Sequence, residues 1–194
     1  LADGPVLLAG VPHLVDVDTM GRILRELGIE VRWDEDDTVQ LRTVDARPAR
    51  APYRLLRRMR AGFCVLGPLL ARRGEAIVAL PGGCAIGPRP VDLHLAGLKS
   101  LGAEIELRHG YVVARARRLR GATIRMAGSD GPTVTGTANV LSAAVLAEGT
   151  TIIEDAAIEP EIVALGEMLL GMGANIDGLG TSILRIEGVE RLGG

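Results

Sequence analysis

Apolar and polar positions recur in one order along this chain, three times over. A short apolar run follows a Gly stop at residues 5–9, 75–80 and 150–154, preceded by Leu1-Ala2-Asp3-Gly4, by residues 70–74 and by residues 146–149. Each run predicts a strand, followed by a loop and an amphipathic helix. The helices end in matching phrases: Leu27-Gly28-Ile29-Glu30-Val31, Leu101-Gly102-Ala103-Glu104-Ile105 and Met172-Gly173-Ala174-Asn175-Ile176. Glycine after the last apolar helical position is a stop signal, and the alternation beyond it predicts strand. The repeat, about 70 residues long, exceeds a solenoid unit and suits a supersecondary block. The blocks run over about 1–50, 51–120 and 121–194.

Hairpins close each block. Residues 38–44 follow Trp33 across the acidic turn Asp34-Glu35-Asp36-Asp37, read as a solvated tip. Residues 105–107 and 111–114 flank His109-Gly110, and residues 175–176 and 183–186 flank a Gly-rich turn. Block two opens with a helix predicted over 53–71, whose Leu55, Met59, Phe63, Leu66 and Leu70 form one apolar stripe. Its counterpart in block three is predicted over 137–147. Block one begins at the last turn of such a helix, so the expected architecture is α/β, with three repeated units of mixed sheets packed around buried helices. The first unit is read as truncated, and the chain as a single, incomplete domain. The missing helix should leave an apolar groove, with one of three outcomes: marginal stability, self-association, or filling by another chain.

Composition narrows the function. Of 194 residues 47% are hydrophobic and 24% charged, with 22 Lys+Arg against 24 Asp+Glu, a net charge of −2. That balance offers no footprint for nucleic acid. The four aromatics, Trp33, Tyr53, Phe63 and Tyr111, make no base-stacking platform. No apolar run approaches the ~18 residues of a membrane span, and no leader pattern points to export. Two cysteines, Cys64 and Cys84, suit a reducing cytoplasm rather than a disulfide framework. His13, His94 and His109 lack metal-ligand spacing, so no metal is expected.

Chemistry points to Pro81-Gly82-Gly83-Cys84-Ala85-Ile86-Gly87-Pro88-Arg89-Pro90, between a strand and a helix starting near Val91. Its glycines free the backbone, and Pro90 suits a first helical turn. A helix N-terminus beside Arg89 favours an anion, and a thiol in that field should ionise readily. Cys64, in an apolar helix, reads as core packing. Arg54, Arg57 and Arg58 read as a solvated face. Arg60 falls on the flank of the stripe, about 100° from Met59, and is a candidate ligand contact. Arg115, Arg117, Arg118 and Arg120 read as exposed. The hydroxyl-rich turn from Gly131 to Thr137 reads as an N-cap or as a ligand contact.

The stretch from Pro81 through Val91-Asp92-Leu93-His94 resembles the cysteine loop of the UDP-N-acetylglucosamine enolpyruvyl transferases. Residues 51–61, 146–153 and 159–194 agree with that family in order and spacing. The resemblance covers nearly the whole chain and implies the domain of a two-domain enzyme that carries this loop. It implies transfer of the enolpyruvyl group of phosphoenolpyruvate to the 3′-hydroxyl of UDP-N-acetylglucosamine in the bacterial cytoplasm, the first committed step of peptidoglycan synthesis, without a cofactor. Cys84 matches the catalytic proton donor, which is also the residue alkylated by fosfomycin. Arg60 and Arg89 match ligand-contacting arginines. Pro90, Val91, Asp92 and Leu93 match the stretch at the uridine end, and Gly131, Pro132, Thr133 and Val134 further nucleotide-sugar contacts. Pro88 departs from the Ala common in the family and should stiffen the loop. The family's Lys-Asn pair falls upstream of Leu1 and its proposed base on the second domain, so the isolated chain is expected to be inactive. Two rival readings are a 5-enolpyruvylshikimate-3-phosphate synthase-like enzyme and a non-catalytic binding paralogue.

Overall fold

The computed structural model describes residues 1–81 and 90–194. The first unit contains β1 (Val6–Leu8), α1 (Val15–Glu26), β2 (Ile29–Trp33) and β3 (Val39–Thr43), in an antiparallel sheet of order β1-β3-β2. The second comprises β4 (Arg50–Ala51), α2 (Tyr53–Leu56), a 3-10 turn (Arg60–Val65), α3 (Leu66–Arg73), β5 (Glu75–Ala79), α4 (Asp92–Ser100), β6 (Glu104–Arg108) and β7 (Tyr111–Arg115). The third comprises β8 (Thr123–Arg125), the two-residue strands β9 (Ala127–Gly128) and β10 (Gly131–Pro132), α5 (Val134–Ala144), β11 (Thr150–Glu154), α6 (Pro160–Gly171), β12 (Asn175–Asp177) and β13 (Ile183–Glu187).

The sheets of units two and three have one design. The orders β4-β5-β7-β6 and β8-β11-β13-β12 correspond strand for strand. In each, only the first pair is parallel, joined by a helical crossover. The first sheet contains the counterparts of the last three strands. Isolated parallel bridges repeat as well, Arg120 with Glu148 and Ala2 with Leu192, linking the end of one unit to the next. The predicted helix stops hold: Gly28, Gly102 and Gly173 have φ of 75°, 92° and 98°, which a side chain would resist.

Helices α3 and α5 form the centre. Beyond its first turn, buried residues occupy every face of α5, among them Val140, Leu141, Ala143 and Ala144, as expected of a helix that runs into the core. Gly67 lets α3 approach it closely: a Cβ there would lie 2.1 Å from the Asn139 carbonyl oxygen.

The helix predicted over 53–71 is broken. Met59 is extended (φ −143°, ψ 111°), so α2 ends and the chain re-enters through the 3-10 turn before α3. Pro68 explains part of this: inside a long helix it would lack a donor and strike the preceding turn, whereas α3 places it in its first turn. The stripe is still buried, because Leu55, Met59, Phe63, Leu66 and Leu70 are all at most 6% exposed. The block-three counterpart begins earlier than predicted, at Val134.

An apolar cavity of about 600 Å³ lies between the first sheet, α1, α3, α5 and α6. Leu8, Leu24, Leu41, Leu69, Leu165 and Met168 line it. Among the described residues, no helix is long and apolar enough to cross a membrane.

Candidate functional site

Three predicted segments converge at one end of α4 and α5. Arg60 opens the 3-10 turn, half-buried, with Nη2 3.5 Å from the Pro90 carbonyl oxygen. The extended Met59, not a position on a continuous helix, aims it there. Pro90 is exposed and precedes the first helical residue, Asp92, by two positions, so it lies outside the first turn where the sequence reading put it. Val91 caps α4 and Leu93 is half-buried. A Cβ on Gly128 would lie 3.5 Å from Leu93 Cδ1, so the β9–β10 hairpin packs on this turn. Gly131, at φ 93°, and Pro132 form β10. Thr133 caps α5, its Oγ1 accepting from the Gly136 N–H at 3.2 Å, and Val134 begins the helix. Cys84 and Arg89 lie outside the described residues.

Beneath these segments is a buried polar node. Asn139 Oδ1 accepts from the Gly67 N–H at 2.7 Å, while Nδ2 donates to the Phe63 carbonyl at 3.1 Å and reaches His94 Nδ1 at 2.9 Å. His94 Nε2 lies 3.2 Å from Thr135 Oγ1. The node ties α3, α4 and α5 together at the site. His94 is 2% exposed. Burial first, then the Arg60 charge, push its pKa down to about 4, against a smaller raising effect of Asp92. Phe63 packs edge-on against the imidazole, with ring centroids 5.3 Å apart.

Cys64 belongs less fully to the core than its sequence setting predicts. It is half-buried and lines the cavity, with Sγ 4.0 Å from the Thr135 carbonyl oxygen. Burial pushes its thiol up to about 11, slightly offset by Arg60, so it stays protonated near neutral pH. Arg54, Arg57, Arg58, Arg115, Arg117, Arg118 and Arg120 are exposed. Among the described residues, no cluster of three or more His, Cys, Asp or Glu could hold a metal.

Sequence reasoning missed His94, Thr135 and Asn139 as a unit. The available signal was a lone amide, Asn139, among small and apolar residues of a helix whose positions 139–144 are all buried. A buried amide demands partners.

Arg60, the N-termini of α4 and α5 and the Gly131–Val134 turn thus gather at one pole of a domain built from repeated α/β units with mixed sheets. The chain belongs to the EPSP synthase (3-phosphoshikimate 1-carboxyvinyltransferase) family, whose model matches residues 1–194. Curated relatives called UDP-N-acetylglucosamine 1-carboxyvinyltransferase include those of Halorhodospira halophila, 52% identical, and Nitratidesulfovibrio vulgaris, 54% identical, each over all 194 residues. The chain spans about half of those relatives, 46% and 45% of their lengths. Among solved structures, the enolpyruvyl transferase NikO from Streptomyces tendae matches with a TM-score of 0.81 at 24% identity, over 97% of this chain and 44% of its own. EPSP synthase from Acinetobacter baumannii matches with a TM-score of 0.77 at 19% identity, over all of this chain and 44% of its own. These two likenesses concern the fold.

Proposed function

We propose that this chain is the cysteine-loop domain of a two-domain bacterial transferase that joins phosphoenolpyruvate to UDP-N-acetylglucosamine in the cytoplasm, at the entry to peptidoglycan synthesis. The observation that carries this is identity of 52–54% along the whole chain to relatives of that name. The gathering of Arg60, Pro90–Leu93 and Gly131–Val134 at one end of α4 and α5 supports it.

In this reading Cys84 delivers a proton to C3 of phosphoenolpyruvate while the sugar 3′-oxygen bonds to C2, giving a tetrahedral ketal. Loss of a C3 proton with expulsion of phosphate then restores the double bond. Arg60 and Arg89 hold anionic oxygens, since a guanidinium matches phosphate and carboxylate geometry. Asp92 reads the uracil edge, and the Gly131–Val134 turn bonds the nucleotide sugar. A second domain supplies the opposite wall of the cleft and the base, and no cofactor takes part. Expressed alone, the chain is inactive, and its apolar cavity leaves it marginally stable, self-associated or filled by another chain, which sedimentation and thermal melts would distinguish.

Calorimetric titration of the complete transferase with UDP-N-acetylglucosamine and with shikimate-3-phosphate tests the reading. Binding of the nucleotide sugar alone is expected. Binding of shikimate-3-phosphate alone would move the protein to the other branch of its family.

A further inference from the structure

The buried node dictates where its protons sit. Two backbone groups fix the Asn139 amide: the Gly67 N–H must meet Oδ1, and the Phe63 carbonyl must meet Nδ2. The second Nδ2 hydrogen therefore points at His94 Nδ1, which must accept it. An imidazole whose Nδ1 accepts and which stays neutral carries its proton on Nε2. That proton goes to Thr135 Oγ1, which thereby accepts and keeps its own hydrogen for another partner. The depressed His94 pKa agrees, since an imidazolium would set N–H against N–H. Among the described residues, no further hydrogen bond of the Thr135 hydroxyl is formed.

We propose that Thr135 is a ligand-contacting hydroxyl donor, its polarity set by the relay from Gly67 through Asn139 and His94, and that it donates to a phosphate oxygen of the bound nucleotide sugar. The inference rests on the functional reading above and extends its contact stretch by one residue. Thr135 follows Val134 in the first turn of α5, half-buried. Its partner His94, 3.2 Å away, stands in the first turn of α4, two residues after Asp92, so the hydroxyl belongs to the same pole of the domain. A hydroxyl that keeps its hydrogen to donate suits an oxyanion, which can only accept. Were the relay reversed, Thr135 would spend its hydrogen on His94 and offer the ligand lone pairs alone.

The test titrates the complete transferase and its Thr135→Val and Thr135→Ser variants with UDP and with uridine. Thr135→Val keeps the shape and removes the donor. It should weaken UDP binding roughly tenfold or more, the effect of losing one hydrogen bond to a charged group. Uridine, which lacks phosphates, should bind it within about twofold of the parent, and Thr135→Ser should restore UDP binding. Equal UDP affinity in parent and Thr135→Val would overturn the inference while leaving the functional reading intact. So would an equal weakening of UDP and uridine, which would mark a general disturbance. A parent that binds no UDP would remove the functional reading and the inference with it.

Discussion

Replacing Asn139 with alanine removes an amide that satisfies three buried groups at once: the Gly67 N–H, the Phe63 carbonyl and His94 Nδ1. Each buried polar group left without a partner costs about 1–3 kcal/mol. Water entering the space of the lost amide would meet part of the demand, so the expected loss is about 3–6 kcal/mol. That is a large share of the ~5–15 kcal/mol net stability of a typical domain. With a urea dependence of about 2–3 kcal/mol per molar, the unfolding midpoint should fall by roughly 1–3 M, or folding be lost outright. Urea titration of the 194-residue chain followed by circular dichroism measures it. Asn139→Asp sharpens the test. It keeps the acceptor for Gly67 but turns a carboxylate oxygen toward Phe63 O and His94 Nδ1, so the folded variant must take up a proton. Its deficit relative to the parent should shrink as pH falls from 8 to 5. A midpoint shift under about 0.5 M for Asn139→Ala would refute the claim that this node holds α3, α4 and α5 together.

The unfolded chain should carry His94 near its usual 6.5 and the folded chain near 4. Its contribution to stability is therefore full above about pH 6.5 and declines as pH falls toward 4, by up to about 3 kcal/mol; thermal melts showing the same acid slope in His94→Gln and parent would contradict this. Gly67→Ala puts a methyl against the Asn139 backbone carbonyl and should cost about 3 kcal/mol or more; an unchanged melting temperature would show that α3 and α5 can separate cheaply. A small alkylating agent at pH 7.5 should modify Cys84 and spare Cys64, whose thiol burial raises to about 11; peptide mass spectrometry finding the label only on Cys64 would reverse that assignment.

Much of the architecture is legible because it repeats. A helix end that reverses into a strand needs a left-handed residue, so Gly28, Gly102 and Gly173 mark three equivalent corners. The alternation after each then predicts the hairpins, and the observed sheets follow. The break at Met59 was hidden because burial, not helical continuity, sets the pattern. Leu55, Met59 and Phe63 face the core whether the chain between them is coiled or extended. Gly62 and the Gly67-Pro68 pair were the local warning. The helix after the Gly131–Thr137 turn starts three residues earlier than predicted because Thr133, Thr135 and Thr137 each suit a cap; the Gly136 N–H chooses the first. The His94 node joins residues 41 to 76 positions apart in sequence. Such separations leave no periodic trace, and only the oddity of a buried amide hints at them. The segment from Gly82 to Arg89, with Cys84 and Arg89, is read from its residue types and from the resemblance, and lies outside the described residues.

Turnover of the complete transferase tests the central claim most directly. Supplied with phosphoenolpyruvate, it should release phosphate only when UDP-N-acetylglucosamine is present, and mass spectrometry should find the enolpyruvyl ether of that sugar. Cys84→Ser should lose most of this activity, because a hydroxyl is a far weaker acid than a thiol at neutral pH. Phosphate release with shikimate-3-phosphate and none with the nucleotide sugar would contradict the account, as would full activity in Cys84→Ser.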